Sequence, residues 1–344
     1  MSSPARRLIF ATQAVDPTDP VLGATVSKLR ALAARVDELV VLADHAVEGA
    51  LPANCRLHLF GAGSSSARAR LFLASLNREL VPRPLAVVAH MVPRYAILAA
   101  PLTRPRKVPL LLWFTHWKRS RTLVVAERLA NRVLTVERRS FPLASGKVVA
   151  IGHGIDLTSF SFVERDQDPA EPLRVVSLGR TSPAKGYETI ARAAALAGVR
   201  FEIFGTSSTA EERLERQRLA ALGIALREPV AHDEVPGLLR LYDVLVNNMR
   251  EGALDKVVYE AAATGMPVLA SNAGFEDILP PELRFDRRDP GDLAAKLRRL
   301  TDLDRNALGR ELRARVEARH SVEHWAEGVL EAAERSAARR SAGP

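Results

Sequence analysis

Two cations and two carboxylates stand out as residues that could do chemistry. The stretch SLGRTSPAKG, Ser177–Gly186, ends an apolar run at Gly179-Arg180, crosses a proline-containing loop and opens a helical pattern at Lys185-Gly186. Arg180 and Lys185 then project from a strand tip and a helix start, an arrangement able to clamp a diphosphate with help from the helix dipole. Two cations solvated on a loop would give the same sequence. The stretch NNMREGALDKVVYEAAATGMPVLAS, Asn247–Ser271, carries Glu251 and Glu260. Glu260 lies inside the apolar VVYEAAA, where an unpaired carboxylate is expensive to bury. The helix is expected to begin at Gly252-Ala253-Leu254, whose backbone N–H groups suit an anion. A carboxylate on its first turns can accept two hydrogen bonds from a vicinal diol such as a ribose. On the plainer reading Glu260 is a surface residue of that helix.

These stretches need elements that aim them. In the first half the strand patterns are Arg7–Thr12, Glu38–Asp44, Arg56–Gly61, Leu85–His90, Leu110–Thr115, Arg132–Glu137 and Val148–His153, separated by helical patterns such as ATVSKLRALAARV and ARARLFLASLNREL. Apolar runs without strict alternation suit strands buried on both faces, and strand–helix–strand repetition implies a parallel sheet with right-handed crossovers. The polar, turn-rich GIDLTSFSFVERDQDPAEP breaks the pattern and reads as a linker. A second alternation follows, with strands at Arg174–Arg180, Arg200–Gly205, Ile224–Pro229, Asp243–Asn248, Pro267–Asn272 and Leu283–Asp286. From Asp289 to Arg340 the pattern is helical, and the closing ERSAARRSAGP is expected to fray. The fold class is α/β. Two doubly wound Rossmann-like domains, residues 1–155 and 173–320, are joined by a linker at 156–172. A C-terminal helix at 321–344 is expected to pack back on the first domain. Ligands of such sheets sit outside the carboxyl ends of the strands.

Length and charge agree with two domains. The 344 residues exceed one core at ~150 residues per domain. No apolar run approaches the ~20 residues of a membrane span, and MSSPARRLIFATQ enters a strand pattern without the features of a signal peptide. Cys55 is the sole cysteine, so an internal disulfide and a thiolate-rich metal site are excluded. The expected location is the cytoplasm. Met1–Ile155 holds 22 Lys and Arg against 9 Asp and Glu, a net of +13, and the remainder nets −4 within the total of +9. A basic first half fits an anionic partner, and the basic ends of RPRKVPLLLWFTHWKRSR, Arg104–Arg121, suit an anionic membrane surface. A compositional bias toward arginine explains the same numbers. No nucleic-acid recognition motif is present.

Other signals carry less. FGAGSSSARA follows the third strand, not the first, and lacks a third glycine, which argues against a dinucleotide site. Asp166-Gln167-Asp168 falls in the linker and Asp302-Leu303-Asp304 on a charged helical stretch, so neither marks a divalent-metal site. There is no G-x-S-x-G or P-loop motif. His90 reads as a structural loop histidine.

The segments SLGR…KG, HDEVPGLLRLYDVLVNN and EGALDKVVYEAAATGMPVLAS occur in an order and spacing that resembles glycosyltransferase family 4. These are retaining, nucleotide-sugar-dependent enzymes of GT-B fold, whose two Rossmann-like domains face each other across a cleft. The resemblance runs from Trp113 to Ser271. It implies transfer of a hexose from a UDP- or GDP-sugar to a hydroxyl of a lipid, polysaccharide or small metabolite, with no resident cofactor and no essential metal. The departing diphosphate is thought to help deprotonate the incoming hydroxyl on the same face, and closure about the linker to assemble the site. Carried over, Arg180 and Lys185 hold the donor diphosphate and Glu260 the ribose hydroxyls. Glu251 lies near the donor sugar, and His116, after the fifth strand, faces the transferred sugar. Gly252, Ala253, Leu254 and Gly205 complete the donor site. Eight residues separate Glu251 from Glu260 where the family has seven, so Asp255 is a second candidate for the first carboxylate's place. A Glu260 reserved for a ligand is expected to add little to the stability of the ligand-free chain. The alternatives are another GT-B enzyme, such as a sugar-nucleotide epimerase or a phosphorylase, and a non-catalytic nucleotide-sugar binder.

Overall fold

The computed structural model describes residues 5–168 and 171–341. The chain forms two compact units. One runs to Gly154 and takes back the last helix from Val322, and the other is Ile155–Ser321.

The first unit alternates β1 (Arg7–Val15), α1 (Ala24–Ala33), β2 (Glu38–Ala46), β3 (Cys55–Leu59), α2 (Ser65–Glu79), β4 (Ala86–His90), α3 (Pro93–Thr103), β5 (Leu110–Trp113), α4 (Arg121–Leu129), β6 (Arg132–Thr135) and β7 (Val148–Ala150). The strands make one parallel sheet in the order β3-β2-β1-β4-β5-β6-β7. Its centre is covered on both faces, which is why Leu8, Ile9, Phe10 and Ala11 are all apolar and fully buried. His90 ends β4 as a buried residue rather than a loop residue, with its Nδ1 3.1 Å from Thr12 Oγ1.

The second unit continues with β8 (Arg174–Leu178), α5 (Tyr187–Ala197), β9 (Arg200–Phe204), α6 (Ala210–Ala221), β10 (Ala225–Arg227), α7 (Val235–Leu239), β11 (Val244–Asn247), α8 (Lys256–Ala263), β12 (Val268–Ala270), α9 (Pro290–Arg299) and α10 (Arg305–His320). Its parallel sheet runs β10-β9-β8-β11-β12. Leu283–Asp286, expected as a sixth strand, contributes only a single bridge, Arg284 to Ala270. Three-residue β12 ends too early to template more. In both sheets the strand order reverses beside the first strand, between β1 and β4 and between β8 and β11.

The expected linker is not a free connection. Its residues from Ile155 belong to the second unit. Arg165 is buried there and donates to the carbonyls of Val163, Thr264 and Tyr242 and to Thr264 Oγ1. A guanidinium with that many backbone acceptors staples the segment to the unit, and burial pushes its pKa down to about 10. Residues 169 and 170 of the expected linker lie outside the described residues.

The closing helix, α11 (Val322–Ser341), belongs to the first unit. Trp325 is fully buried, 5.5 Å from Trp113 and 6.3 Å from Phe10 between ring centres, with the Lys28 ammonium over both indoles. Gly154, at φ +77°, passes so close that a Cβ would fall 2.7 Å from Lys28 Cε and 3.0 Å from Trp325. The helix continues through most of the stretch expected to fray. Residues 342–344 lie outside the described residues. Among the described residues no helix is long and apolar enough to cross a membrane.

Candidate functional site

The reversal between β8 and β11 positions a compact charged cluster. Beyond β8 the chain makes a single 3₁₀ turn, Pro183–Lys185, and Gly186 takes the left-handed conformation, φ +56°, before α5 begins at Tyr187. Lys185 therefore ends the turn ahead of the helix and does not lie in its first turn. Its Nζ is 3.3 Å from Leu178 O and 2.5 Å from Asp255 Oδ2, the residue that immediately precedes α8. Asn247, closing β11, donates to the same carboxylate oxygen at 2.8 Å. Burial favours the neutral amine, but Asp255 and then Tyr187 outweigh it and raise the Lys185 pKa, so the group is a desolvated ammonium.

Glycines let the backbone close around this lysine. At Gly179, φ +129°, a Cβ would sit 2.6 Å from Lys185 Nζ. At Gly205 a Cβ would sit 1.8 Å from Gly179 O, so only glycine allows the β9 tip to abut the β8 loop. Two side chains buckle the loops together. Asn248 Nδ2 donates to Gly186 O and Arg287 O, and Arg287 donates to Ala184 O at 3.0 Å and Asn248 O at 3.2 Å. Burial, then the neighbouring Arg250 and Arg288, lower the Arg287 pKa.

Arg180 follows the same strand but is 53% exposed. Its Nη1 lies 3.1 Å from Glu212, the carboxylate that also caps α6 by accepting from the N–H groups of Ser208 and Thr209.

Glu260 is only 3% exposed, and it is already partnered. Its Oε1 lies 2.8 Å from His232 Nε2 and 3.0 Å from Lys256 Nζ. Burial alone would raise its pKa, but Lys256 and His232 hold it down to about 2. The surface-helix reading is thereby removed, because α8 is buried from Val258 to Ala263. So is the expectation that Glu260 is idle without a ligand: Lys256 and His232 would both lose their carboxylate partner without it. Both members of the Lys256–Glu260 pair oppose the helix dipole, with the cation first and the anion a turn later. Helix stability is not what this pair serves.

The remaining expected site residues lie in loops. Because α8 begins at Lys256, Gly252, Ala253 and Leu254 lie in the loop before it, not in its first turn. Gly252 has φ +82°, and Ala253 and Leu254 are buried, with Asn272 Nδ2 holding Ala253 O at 2.7 Å. Glu251 is exposed and its side chain pairs with no described residue, whereas Asp255, the alternative, carries Lys185. His116 belongs to the first unit, after β5, where its Nδ1 accepts from the Lys118 N–H at 3.0 Å and its ring stacks on Trp117.

A family model described as glycosyl transferase-like matches residues 180–331, a span that holds both charged clusters. Solved structures match nearly the whole chain. A sucrose-phosphate synthase from Thermosynechococcus elongatus is 18% identical, with 97% of this chain and 100% of that chain covered and a TM-score of 0.78. The catalytic domain of starch synthase IV from Arabidopsis thaliana, bound to ADP and acarbose, is 15% identical over 98% and 100%, TM-score 0.73. Anabaena HepE in complex with UDP-glucose is 15% identical over 98% and 100%, TM-score 0.71. The comparison with curated proteins finds no match. The chain has the GT-B fold, and its second unit carries the glycosyl transferase-like match.

Sequence reasoning singled out the two cations and Glu260 but missed most of the residues that the fold brings to them: Glu212, His232, Asn247, Asn248, Lys256 and Arg287. One signal was available. Lys256 stands four residues before Glu260, a spacing that puts both on one helix face. His232 and Arg287 come from distant loops and announce themselves by no local pattern. The Asp-x-Asp at Asp302–Asp304 is also explained, since Asp304 caps α10 by accepting from the N–H groups of Asn306 and Ala307.

Proposed function

We propose that this protein is a glycosyltransferase that moves a hexose from a UDP- or GDP-sugar to an acceptor hydroxyl with retention at the anomeric carbon. The observation that carries the reading is the desolvated Lys185–Asp255 pair at the β8–β11 reversal, where ligands of such sheets bind. The diphosphate is assigned to Lys185 and Arg180, and the ribose hydroxyls to Glu260, whose charge His232 and Lys256 fix in the ionised, accepting form. Asp255, in preference to Glu251, takes the place of the first motif carboxylate, and His116 keeps the sugar-facing role that the resemblance implies. Gly205, Gly252, Ala253 and Leu254 shape the donor site.

In the step itself the bond from the anomeric carbon to the diphosphate oxygen breaks. The acceptor oxygen bonds to that carbon on the same face, and its proton passes to the departing oxygen. Lys185 and Arg180 offset the charge that builds on the leaving group, which is worth most where water is excluded. The reading assigns no metal and no resident cofactor to the site. The acceptor belongs to the first unit, and the location is the cytoplasm. The exposed Arg104, Arg106, Lys107, Lys118, Arg119 and Arg121 favour contact with an anionic membrane face.

Nucleotide release from a panel of UDP- and GDP-sugars tests the proposal. Release of one nucleotide, accompanied by sugar transfer to an added acceptor, is expected. Conversion of the donor to its epimer without release would instead identify the epimerase alternative, and binding without any turnover the non-catalytic one.

A further inference from the structure

The first unit holds a cavity of about 400 Å³ outside the carboxyl ends of β1, β2 and β3. One wall is aromatic. Tyr95 stacks on Phe72 with centroids 5.5 Å apart and planes at 18°, and Phe60 meets both edge-on. The polar lining is charged. Asp44 Oδ2 lies 3.5 Å from Arg68 Nη1, while Asp44 Oδ1 is buried and accepts no hydrogen bond. Arg94, at the start of α3, is exposed and pairs with no described carboxylate. Burial, then Asp44, push the Tyr95 hydroxyl up to about 12, so it stays a neutral donor.

A half-satisfied carboxylate beside an aromatic wall is a poor way to stabilise a fold. It suits a ligand that brings its own hydroxyls and an apolar face. A pyranose has both: C–H groups that lie on aromatic rings and hydroxyls that donate to a carboxylate. Arg68 and Arg94 add a requirement, because two guanidinium groups and one carboxylate in the lining leave a net positive site.

We propose that this cavity takes a sugar unit bearing an anionic substituent, carboxylate or phosphate, as the acceptor end. Asp44 receives its hydroxyls, the Phe60–Phe72–Tyr95 wall its apolar face, and Arg68 and Arg94 its charge. The assignment rests on the reading of the protein as a transferase to a hydroxyl acceptor.

Saturation-transfer NMR on the full chain tests it with three probes: glucuronate, glucose 6-phosphate and glucose. At least one anionic sugar is expected to bind about tenfold or more tighter than glucose, and the stronger of the two identifies carboxylate or phosphate. Arg68→Gln, at a side chain 49% exposed and so tolerant of change, should erase the preference with the melting temperature unchanged. Asp44→Asn should weaken all three sugars. Equal binding of glucose and the anions, or a preference untouched by Arg68→Gln, would overturn the proposal. UDP titrated into the same samples separates the two levels. UDP binding without anionic-sugar binding sinks this inference alone, whereas anionic-sugar binding without UDP binding upholds the cavity and sinks the donor-site reading.

Discussion

Lys185 and Asp255 meet at 2.5 Å although 70 residues separate them, one following β8 and the other introducing α8. Each is the neighbour that the other's burial requires. In the ligand-free protein the carboxylate occupies the cation that the proposed reaction needs for the departing diphosphate. Donor binding must therefore share or displace this contact.

Asp255→Asn keeps the shape and leaves an amide against Lys185. A free diphosphate then meets no competing carboxylate, and UDP should bind more tightly, by up to about tenfold, or 1.4 kcal/mol. The melting temperature should fall, because Lys185 loses its counter-charge in a buried setting. Calorimetric titration and a melting curve on the same preparation read both quantities. Weaker UDP binding would show that Asp255 helps to hold the donor instead of standing in for it.

Turnover should separate from stability at Arg180. Its ion pair with Glu212 is more than half exposed on the arginine side, and such pairs are worth ~0–1 kcal/mol. Arg180→Ala should leave urea stability almost unchanged while slowing transfer by roughly 10²–10³-fold if the guanidinium stabilises the leaving group. Steady-state rates within a factor of about two of wild type would remove Arg180 from the diphosphate site.

Much of this was legible in the sequence, and what was not has physical causes. All seven strands of the first sheet and five of the second announce themselves as apolar runs, because strands buried on both faces tolerate little else. Leu283–Asp286 has the same look but finds only a bridge beside a three-residue edge strand. The linker misled because polarity was read as solvent exposure, whereas Arg165 turns the polar segment inward by donating to carbonyls. At the site, the bearers of charge are visible as residue types. Which groups pair with them is not, since Glu212, Asp255 and His232 are brought to Arg180, Lys185 and Glu260 only by the fold.

Acid should expose the work of Glu260. Its pKa falls from an ordinary 4.5 to about 2 in the folded chain. A depressed carboxylate stabilises the fold above its unfolded value and loses that contribution as pH drops through the folded one. Wild type should therefore exceed Glu260→Gln by on the order of 3 kcal/mol at pH 7, and the gap should close between about pH 4.5 and pH 2. Urea unfolding at a series of pH values measures it. A gap that stays constant over that range would mean that Glu260 is not charged and paired as its contacts with His232 and Lys256 require.

Arg287 should act on the site without touching substrate. It ties Ala184 O to Asn248 O and so fixes the turn that carries Lys185. Arg287→Ala should lower kcat about tenfold or more through misplacement of that turn, with a smaller change in KM. Arg287→Lys, which cannot span both carbonyls with one planar group, should restore little. Full rescue by lysine would reduce the role of Arg287 to charge alone.

The central claim, that the second unit grips a nucleotide diphosphate through Lys185 and Glu260, is tested most directly by calorimetric titration of UDP and GDP. The samples are wild type, Lys185→Ala and Glu260→Gln, each with a melting curve. Wild type should bind one of the two nucleotides. Each variant should bind it about tenfold more weakly, as expected when a charge-assisted hydrogen bond is replaced by none or by a neutral one. Wild type that binds neither nucleotide, or folded variants that bind as tightly as wild type, would contradict the account.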